Sequence, residues 1–397
     1  MIMRGLRLHL RLRLIGAFLR ERPSHFLLAV VLAALGMASA AAVLWLRDTL
    51  ETHAARQAEG IDIVVGAKGS ALQNVLAAVY HVDVANGNIP LAEVEAIAAR
   101  PDVARAVPIA LGDSVGSARI VGTTPEFLVL YGAQAQAGSV QLAPMEAVLG
   151  AEVARRTGLA VGDRFVGTHG LAEGGDVHDS HPYTVTGILA PTGRVIDQLV
   201  VTALESVWLV HEGHTAATEP EATFALITVK GPAAMAVLPR ALNARPALQA
   251  AVPALESARL LTVFGWVVTL VQAFAWTMVA AALASLFGAL MQAVARREPD
   301  FAMLSAVGAR PLHLAGLLWV EQAVVMLVAA AIALGIVFAV PSLVAAFVDV
   351  TLPWRVVTGV CWFGLVFAVT AGIALFSGVP AVIRAGRVDV ARQLAER

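Results

Sequence analysis

Two polar clusters interrupt an otherwise apolar chain, and each has residue types that could do chemistry. The first is Gly66-Ala67-Lys68-Gly69-Ser70, followed by Tyr80, His81 and Asp83. Glycine, lysine and serine together suggest a phosphate cradle. A P-loop, however, needs Gly-x4-Gly-Lys-Ser/Thr, and here Lys68 precedes Gly69. The stretch reads as a turn and a helix start, or as a contact for a substrate or partner through Lys68, Tyr80, His81 and Asp83. The second cluster is His169, His178 and His181 with Asp176 and Asp179, all within 13 residues. Imidazoles with carboxylates suit zinc. The flanking glycines also suit a solvated hairpin tip or a partner contact, and all three readings stand. No nucleophile, base and oxyanion donor cluster anywhere, so a non-catalytic chain is expected.

Composition narrows the class. Of 397 residues, 58% are hydrophobic and 14% charged, against about 25% charged in an ordinary soluble domain. So little charge cannot coat a soluble surface, and a net charge of −1 gives no footprint for nucleic acid. The single cysteine, Cys361, excludes an intrachain disulfide and any multi-cysteine metal site.

The apolar residues are bunched. Phe26–Leu46 (21 residues), Leu260–Ala295 (36) and Val356–Ile383 (28) carry no charge, and Leu314–Val348 carries only Glu321. About 20 apolar residues cross a bilayer as a helix, so four spans are expected. The second run is long enough to project beyond the bilayer as a stalk. A cleaved signal peptide ending near Ala38-Ser39-Ala40 is the rival for the first span, but the run exceeds the usual apolar length of such peptides.

Arginines orient the spans. Arg4, Arg7, Arg11, Arg13, Arg20 and Arg22 precede the first; Arg296, Arg297 and Arg310 follow the second; Arg384, Arg387, Arg392 and Arg397 follow the fourth. The loop between spans three and four has Arg355 alone. By the positive-inside rule both termini and the 296–313 loop face the cytoplasm. The expected layout is a basic flank at 1–25, lying on the membrane as an amphipathic helix or solvated. Spans follow at 26–46, 260–295, 314–340 and 356–383. An outward domain fills 47–259, a cytoplasmic loop 296–313, a short outer loop 341–355 and a tail 384–397.

Within the outward segment, short apolar runs alternate with helical patterns. Strands are expected at Ile61–Gly66, Ala118–Gly122, Arg164–Val166, Tyr183–Leu189 and Thr223–Val229. Helices are expected at Ala71–Tyr80, Leu91–Arg100, Ala147–Thr157 and Ala233–Leu242, with Gly158 suited to end the third. The fold class is thus an α-helical membrane protein of four transmembrane helices, with an α+β extracytoplasmic domain between helices 1 and 2.

The loop Arg296-Arg297-Glu298-Pro299-Asp300-Phe301-Ala302-Met303-Leu304 has helix-starting residues at Glu298, Pro299 and Asp300. Phe301, Leu304 and Val307 share one face, and Gly308 can end the helix. It serves either as a re-entry helix or as a docking helix for a cytoplasmic partner. Glu321, about two turns inside span three, either pairs with an arginine of this loop or is solvated at the membrane edge. Gly36 with Ala40, and Ala284 with Gly288, are small-x3-small pairs that permit close helix approach, in a homodimer or within one chain.

The loop resembles the coupling region of the MacB/FtsX-like ABC transporter permeases, whose form is close to Arg-Arg-x-Glu/Asp-x-Ala-x-Leu-Arg-Ala-Leu-Gly-Ala. Asp300, Ala302, Leu304, Ala306, Gly308 and Ala309 match, and Ser305 replaces a common arginine. Val379-Pro380-Ala381 through Asp389 and Leu394 resembles the family's closing segment, with Val390 in place of a proline. Val148-Leu149-Gly150, Gly158-Leu159 and Gly162-Asp163 are similar to a run in its periplasmic domain. The resemblance implies a bacterial inner-membrane permease that dimerises and binds two copies of a cytoplasmic ATPase, which supplies ATP and magnesium. Arg297, Glu298, Asp300, Phe301, Leu304, Gly308 and Glu321 would carry coupling. It further implies mechanotransmission: ATP-driven movement of the outer domain, for lipoprotein or lipid extraction or for efflux, with a periplasmic adaptor, lipoprotein or hydrolase as partner. The alternative is a signalling scaffold that controls a periplasmic enzyme or sensor.

Overall fold

The computed structural model describes residues 23–168, 181–211, 219–296, 311–347 and 355–377, together with 379, 380 and 383. Two units are present: Thr52–Val263, inserted as one block, and a helical unit formed by the chain on either side.

Among the described residues the helical unit holds four helices, α1 (Pro23–Gln57), α8 (Pro253–Arg296), α9 (Pro311–Phe347) and α10 (Val356–Ser377). Each holds a stretch long and apolar enough to cross a membrane. Their shared core is mostly alanine: Ala29, Ala33, Ala34, Ala40 and Ala41 of α1 meet Ala275 and Ala282 of α8 and Ala329 and Ala333 of α9. Small side chains let helix backbones approach closely where no hydrophobic effect separates helix from lipid. Trp45 closes one end of this core. Its Nε1 donates to Thr358 Oγ1 at 3.1 Å, its ring lies edge-on to Phe338, and Gly359 leaves room for it. The opposite faces show Leu27, Trp266, Leu270, Phe274, Leu327 and Phe376 exposed, as a lipid-facing surface requires. The chain is a multi-pass membrane protein.

Both small-residue pairs can be placed within the chain. Gly36 faces α8 of its own chain: an added Cβ would lie 2.7 Å from Val279 Cγ2 and 2.9 Å from Val279 N. Ala40 is fully buried in the same core. The pair in α1 thus takes part in packing within the chain. Ala284 is exposed and Gly288 has open space beside it.

The inserted unit is an α+β domain. Its strands are β1 (Ile63–Ala67), β2 (Ile89–Pro90), β3 (Val103–Val115), β4 (Ala118–Thr123), β5 (Ala135–Gly138), β6 (Glu146–Leu149), β7 (Arg164–Phe165), β8 (Tyr183–Leu189), β9 (Leu199–Ala203), β10 (Glu221–Ala222), β11 (Phe224–Val229) and β12 (Leu248–Ala251). Ten of them form one sheet in the order β12-β1-β11-β3-β4-β9-β6-β8-β5, with β7 on β8; β10 and β2 pair separately. Most neighbours are antiparallel, but β4–β9 and β6–β8 are parallel. The strands that follow α1 and precede α8 are adjacent, with Val64 opposite Ala251. Helices α2 (Ala71–Ala78), α3 (Leu91–Ala98), α4 (Pro125–Leu130), α5 (Ala151–Thr157), α6 (Leu204–His211) and α7 (Pro232–Asn243) connect the strands.

One expected element divides. Ala147–Thr157 is not a single helix: Glu146–Leu149 is a strand between β9 and β8, and α5 begins only at Ala151. The break falls at Gly150, where a Cβ would meet Ile196 O at 2.3 Å and Asp197 O at 2.4 Å. Burial of Ala147, Val148 and Leu149 in the sheet overrides their helical tendency. Gly158 ends α5 in the left-handed conformation, φ 73°.

Candidate functional site

The strongest convergence of polar groups lies at the end of α1, within the inserted unit. A helix leaves its last carbonyls without intrahelical partners. Here a side chain from far along the sequence reaches the last of them and the turn that follows. Arg194 Nη2 donates to Glu59 O at 2.7 Å and Gln57 O at 3.4 Å, and its Nη1 donates to Leu130 O at 3.0 Å. A cation at a helix C-terminus is also favoured by the helix dipole. The guanidinium stands 4.2 Å above the Tyr131 ring, within cation–π range. Burial pulls the Arg194 pKa below its usual value and pushes the Tyr131 phenol above its own.

Gln57 completes the arrangement. Its side chain is buried, and its Oε1 accepts from Val195 N at 2.6 Å. The segment that presents Arg194 is itself fixed. The Asp197 carboxylate accepts from Thr192 N, Thr192 Oγ1 and Gly193 N at 2.8–3.0 Å, and Gly193 takes a φ of 71° that favours glycine. Val195 and Ile196 then enter the main core of the domain.

A second bond lies close by in the sequence. Tyr80 Oη donates to Ala54 O of α1 at 3.4 Å and shares a 2.8 Å hydrogen bond with Ser257 Oγ in the first turns of α8. Burial raises the Tyr80 pKa, with the Ser257 bond opposing it. Tyr80 thus touches both helices that run into the helical unit.

The four residues Lys68, Tyr80, His81 and Asp83 do not form one outward surface. Lys68 Nζ donates to Asn243 O at 2.9 Å at the end of α7. His81 is buried at a positive φ of 54°, and neither ring nitrogen has a hydrogen-bond partner. Burial, then the charge of Arg119, lowers its pKa to about 3. Asp83 Oδ1 accepts from Val84 N, and its carbonyl accepts from Arg119 Nη1 at 2.8 Å. Ser70 caps α2 by accepting from Gln73 N, and Asn86 Nδ2 donates to Asn74 Oδ1 at 2.7 Å, tying the following loop down. The Gly66–Ser70 stretch is a turn from the end of β1 into the start of α2 beside an anchored loop, and Lys68, Ser70 and Asn86 each hold a bond within the domain.

The remaining sequence candidates fall elsewhere. Arg297, Glu298, Asp300, Phe301, Leu304 and Gly308 lie outside the described residues, as do His169 and His178. Glu321 belongs to α9, but its side chain lies outside the description. His181 is exposed at the start of its described segment, and among the described residues no three His, Cys, Asp or Glu side chains gather as a metal site. Sequence reasoning missed Arg194, Gln57 and Tyr131. The Thr192-Gly193 turn closed by Asp197 is a local signal, but Gln57 and Val195 are 138 positions apart.

Four apolar helices with an α+β domain between the first two define a membrane subunit of the permease kind. Residues 26–255 match the MacB-like periplasmic core domain, and residues 272–387 match the FtsX-like permease C-terminal domain. The chain belongs to the MacB/FtsX-like family of ABC transporter permeases. Among solved structures it is similar to the periplasmic region of MacB from Actinobacillus actinomycetemcomitans, at 10% identity, covering 51% of this chain and 95% of that one, TM-score 0.35. It is also similar to the extracellular domain of the noncanonical ABC-type transporter YknZ from Gram-positive bacteria, at 10% identity, 47% and 98% coverage, TM-score 0.32. No curated protein matches it. Membership implies a cytoplasmic ATPase partner and dimerisation.

Proposed function

We propose that this permease sits in the bacterial inner membrane as a homodimer and converts ATP hydrolysis on two copies of a separate ATPase into movement of its inserted domain. One observation carries the reading: α1 and α8 continue without a break from apolar spans into the inserted unit, over 35 and 44 residues. At 1.5 Å per residue these are hydrogen-bonded rods of about 52 and 66 Å. Rods of that length move a domain as a lever does. The alanine-packed interior of the helical unit, with Gly36 pressed on Val279, favours movement outside the bilayer over passage between the helices.

On this reading 47–259 lies in the periplasm, and 1–25, 296–313 and 384–397 lie in the cytoplasm. The loop 296–313 receives the ATPase: Phe301 and Leu304 enter a groove, as in helix-in-groove recognition. Arg297, Glu298 and Asp300 orient it, and Gly308 and Glu321 complete the coupling set. ATP and magnesium belong to the partner. The work done is extraction of a lipid or lipoprotein, or efflux of a periplasmic substrate delivered by an adaptor.

Burying one phenylalanine contributes roughly 1.5–3 kcal/mol, enough to change affinity at least about tenfold. Phe301→Ala with Leu304→Ala is therefore expected to lose the ATPase on co-purification while the permease still inserts. Retention of the ATPase with full stimulated hydrolysis would refute docking through this loop.

A further inference from the structure

We infer that Arg194, acting with Gln57, is the positioning pair that makes the inserted domain follow α1, an inference that rests on the mechanical reading above. The two rods join the domain differently. Between β12 and α8 there is one residue, Val252, so movement of α8 passes directly into a strand. Between α1 and β1 there are five residues, 58–62, and Gly60 among them takes a φ of 82°. That connection is held to β11, by Asp62 N donating to Ile227 O at 2.9 Å and Thr228 Oγ1 to Gly60 O at 2.6 Å; Arg194 and Gln57 tie the end of α1 to a different part of the domain, α4 and the 192–197 turn.

The clamp lies at that joint. Arg194 binds carbonyls of Gln57 and Glu59 on the α1 side and of Leu130 at the end of α4, so one guanidinium spans three carbonyls. Only a planar fork with several fixed donors does this; a lysine ammonium is a point charge. Gln57 returns the contact by accepting from Val195 N, the residue next to Arg194. Behind the pair, Asp197 stiffens the turn, and Val195 and Ile196 root it in the core with Leu130, Tyr131 and Leu199. Force on the end of α1 therefore reaches α4 and the core of the domain through these side chains, alongside the five-residue connection to β11. A cap whose task was only to satisfy the helix end would need no partner on α4 and no braced turn.

The test uses the full-length permease with its ATPase in nanodiscs. Cys361→Ser removes the one native cysteine, and Val237→Cys, exposed on α7, carries a spin label on each copy. In otherwise wild-type protein, ATP is expected to shift the label-to-label distance. Arg194→Ala and Arg194→Lys are expected to keep ATPase binding and stimulated hydrolysis but to reduce the shifted population roughly tenfold, the scale of losing charge-assisted hydrogen bonds. Gln57→Leu is expected to give a smaller loss. Arg245→Ala, which removes the exposed Arg245–Glu93 pair, is the control and is expected to shift normally. If Arg194→Ala fails to fold, Arg194→Lys and Gln57→Leu decide alone. Arg194 variants that shift like wild type overturn the clamp while leaving the mechanical reading intact. No shift in the parent protein overturns the mechanical reading, and the clamp's coupling role with it.

Discussion

Replacing Gly36 by alanine sets two known effects against each other. In a helix interior the change gains about 1 kcal/mol of propensity. At this site the new Cβ would stand 2.7 Å from Val279 Cγ2, 2.9 Å from Val279 N and 3.3 Å from Val279 Cα. The first contact can be relieved by a side-chain rotation. The other two cannot, because they are backbone of α8, and Val279 is itself buried. The helices must part, and overpacking of this kind costs about 1–3 kcal/mol. The net is a loss of about 0–2 kcal/mol for Gly36→Ala and a larger loss for Gly36→Leu. Gly288→Ala, with nothing within 4 Å of its Cβ, should show only the propensity gain. The assay is thermal unfolding of the purified permease in detergent, at two protein concentrations so that dimerisation is separated from packing within the chain. The expected order of melting temperature is Gly288→Ala at or above wild type, then Gly36→Ala, then Gly36→Leu, at both concentrations. A Gly36→Ala protein clearly more stable than wild type, or an effect that grows on dilution, would refute close intrachain approach of α1 and α8.

Two further outcomes follow from the inserted domain. Gly150→Ala places a methyl against the carbonyls of Ile196 and Asp197, which are backbone, and should destabilise the domain by more than the usual 0.5–3 kcal/mol of a point change, as read by denaturant unfolding. His81 has a folded pKa of about 3 against 6.5 unfolded, so the unfolded chain binds the extra proton first. Its contribution to stability is whole above pH 6.5 and declines by up to about 1.4 kcal/mol per pH unit as pH falls toward 3. His81→Asn, which also suits the positive φ, should flatten that part of the stability–pH curve; an unchanged slope would remove His81 as its source.

The sequence was most readable where a physical constraint acts on many residues at once. The bilayer demands long uncharged runs, so all four membrane helices could be seen in composition alone. Tyr183–Leu189 was legible because burial alternates along it, one face in and one face half-exposed. The longest strand, Val103–Val115, was not: Pro108, Gly112 and Asp113 read as turn residues, and the register shift between Leu111 and Ser114 breaks its period. Leu199–Ala203 is buried on both faces in mid-sheet and therefore has no alternation to detect. The family resemblance of residues 296–313 could be noticed because the matching residues are contiguous. The Arg194 clamp could not, since its partners Gln57, Glu59, Leu130 and Tyr131 come from two other stretches of chain and meet only in the fold.

The adjacency of β1 and β12 has an architectural consequence. The chain goes into the inserted unit along one strand and leaves along its hydrogen-bonded neighbour, with Val64 beside Ala251 and Gly66 beside Gln249. Neighbouring strands lie about 4.8 Å apart. The unit is thus a cassette with its two ends side by side, the arrangement that tolerates domain insertion most readily. Any other fold with paired first and last strands would present the same spacing to the polypeptide on either side. Exchange of the cassette would then leave the four membrane helices and their connections unaltered.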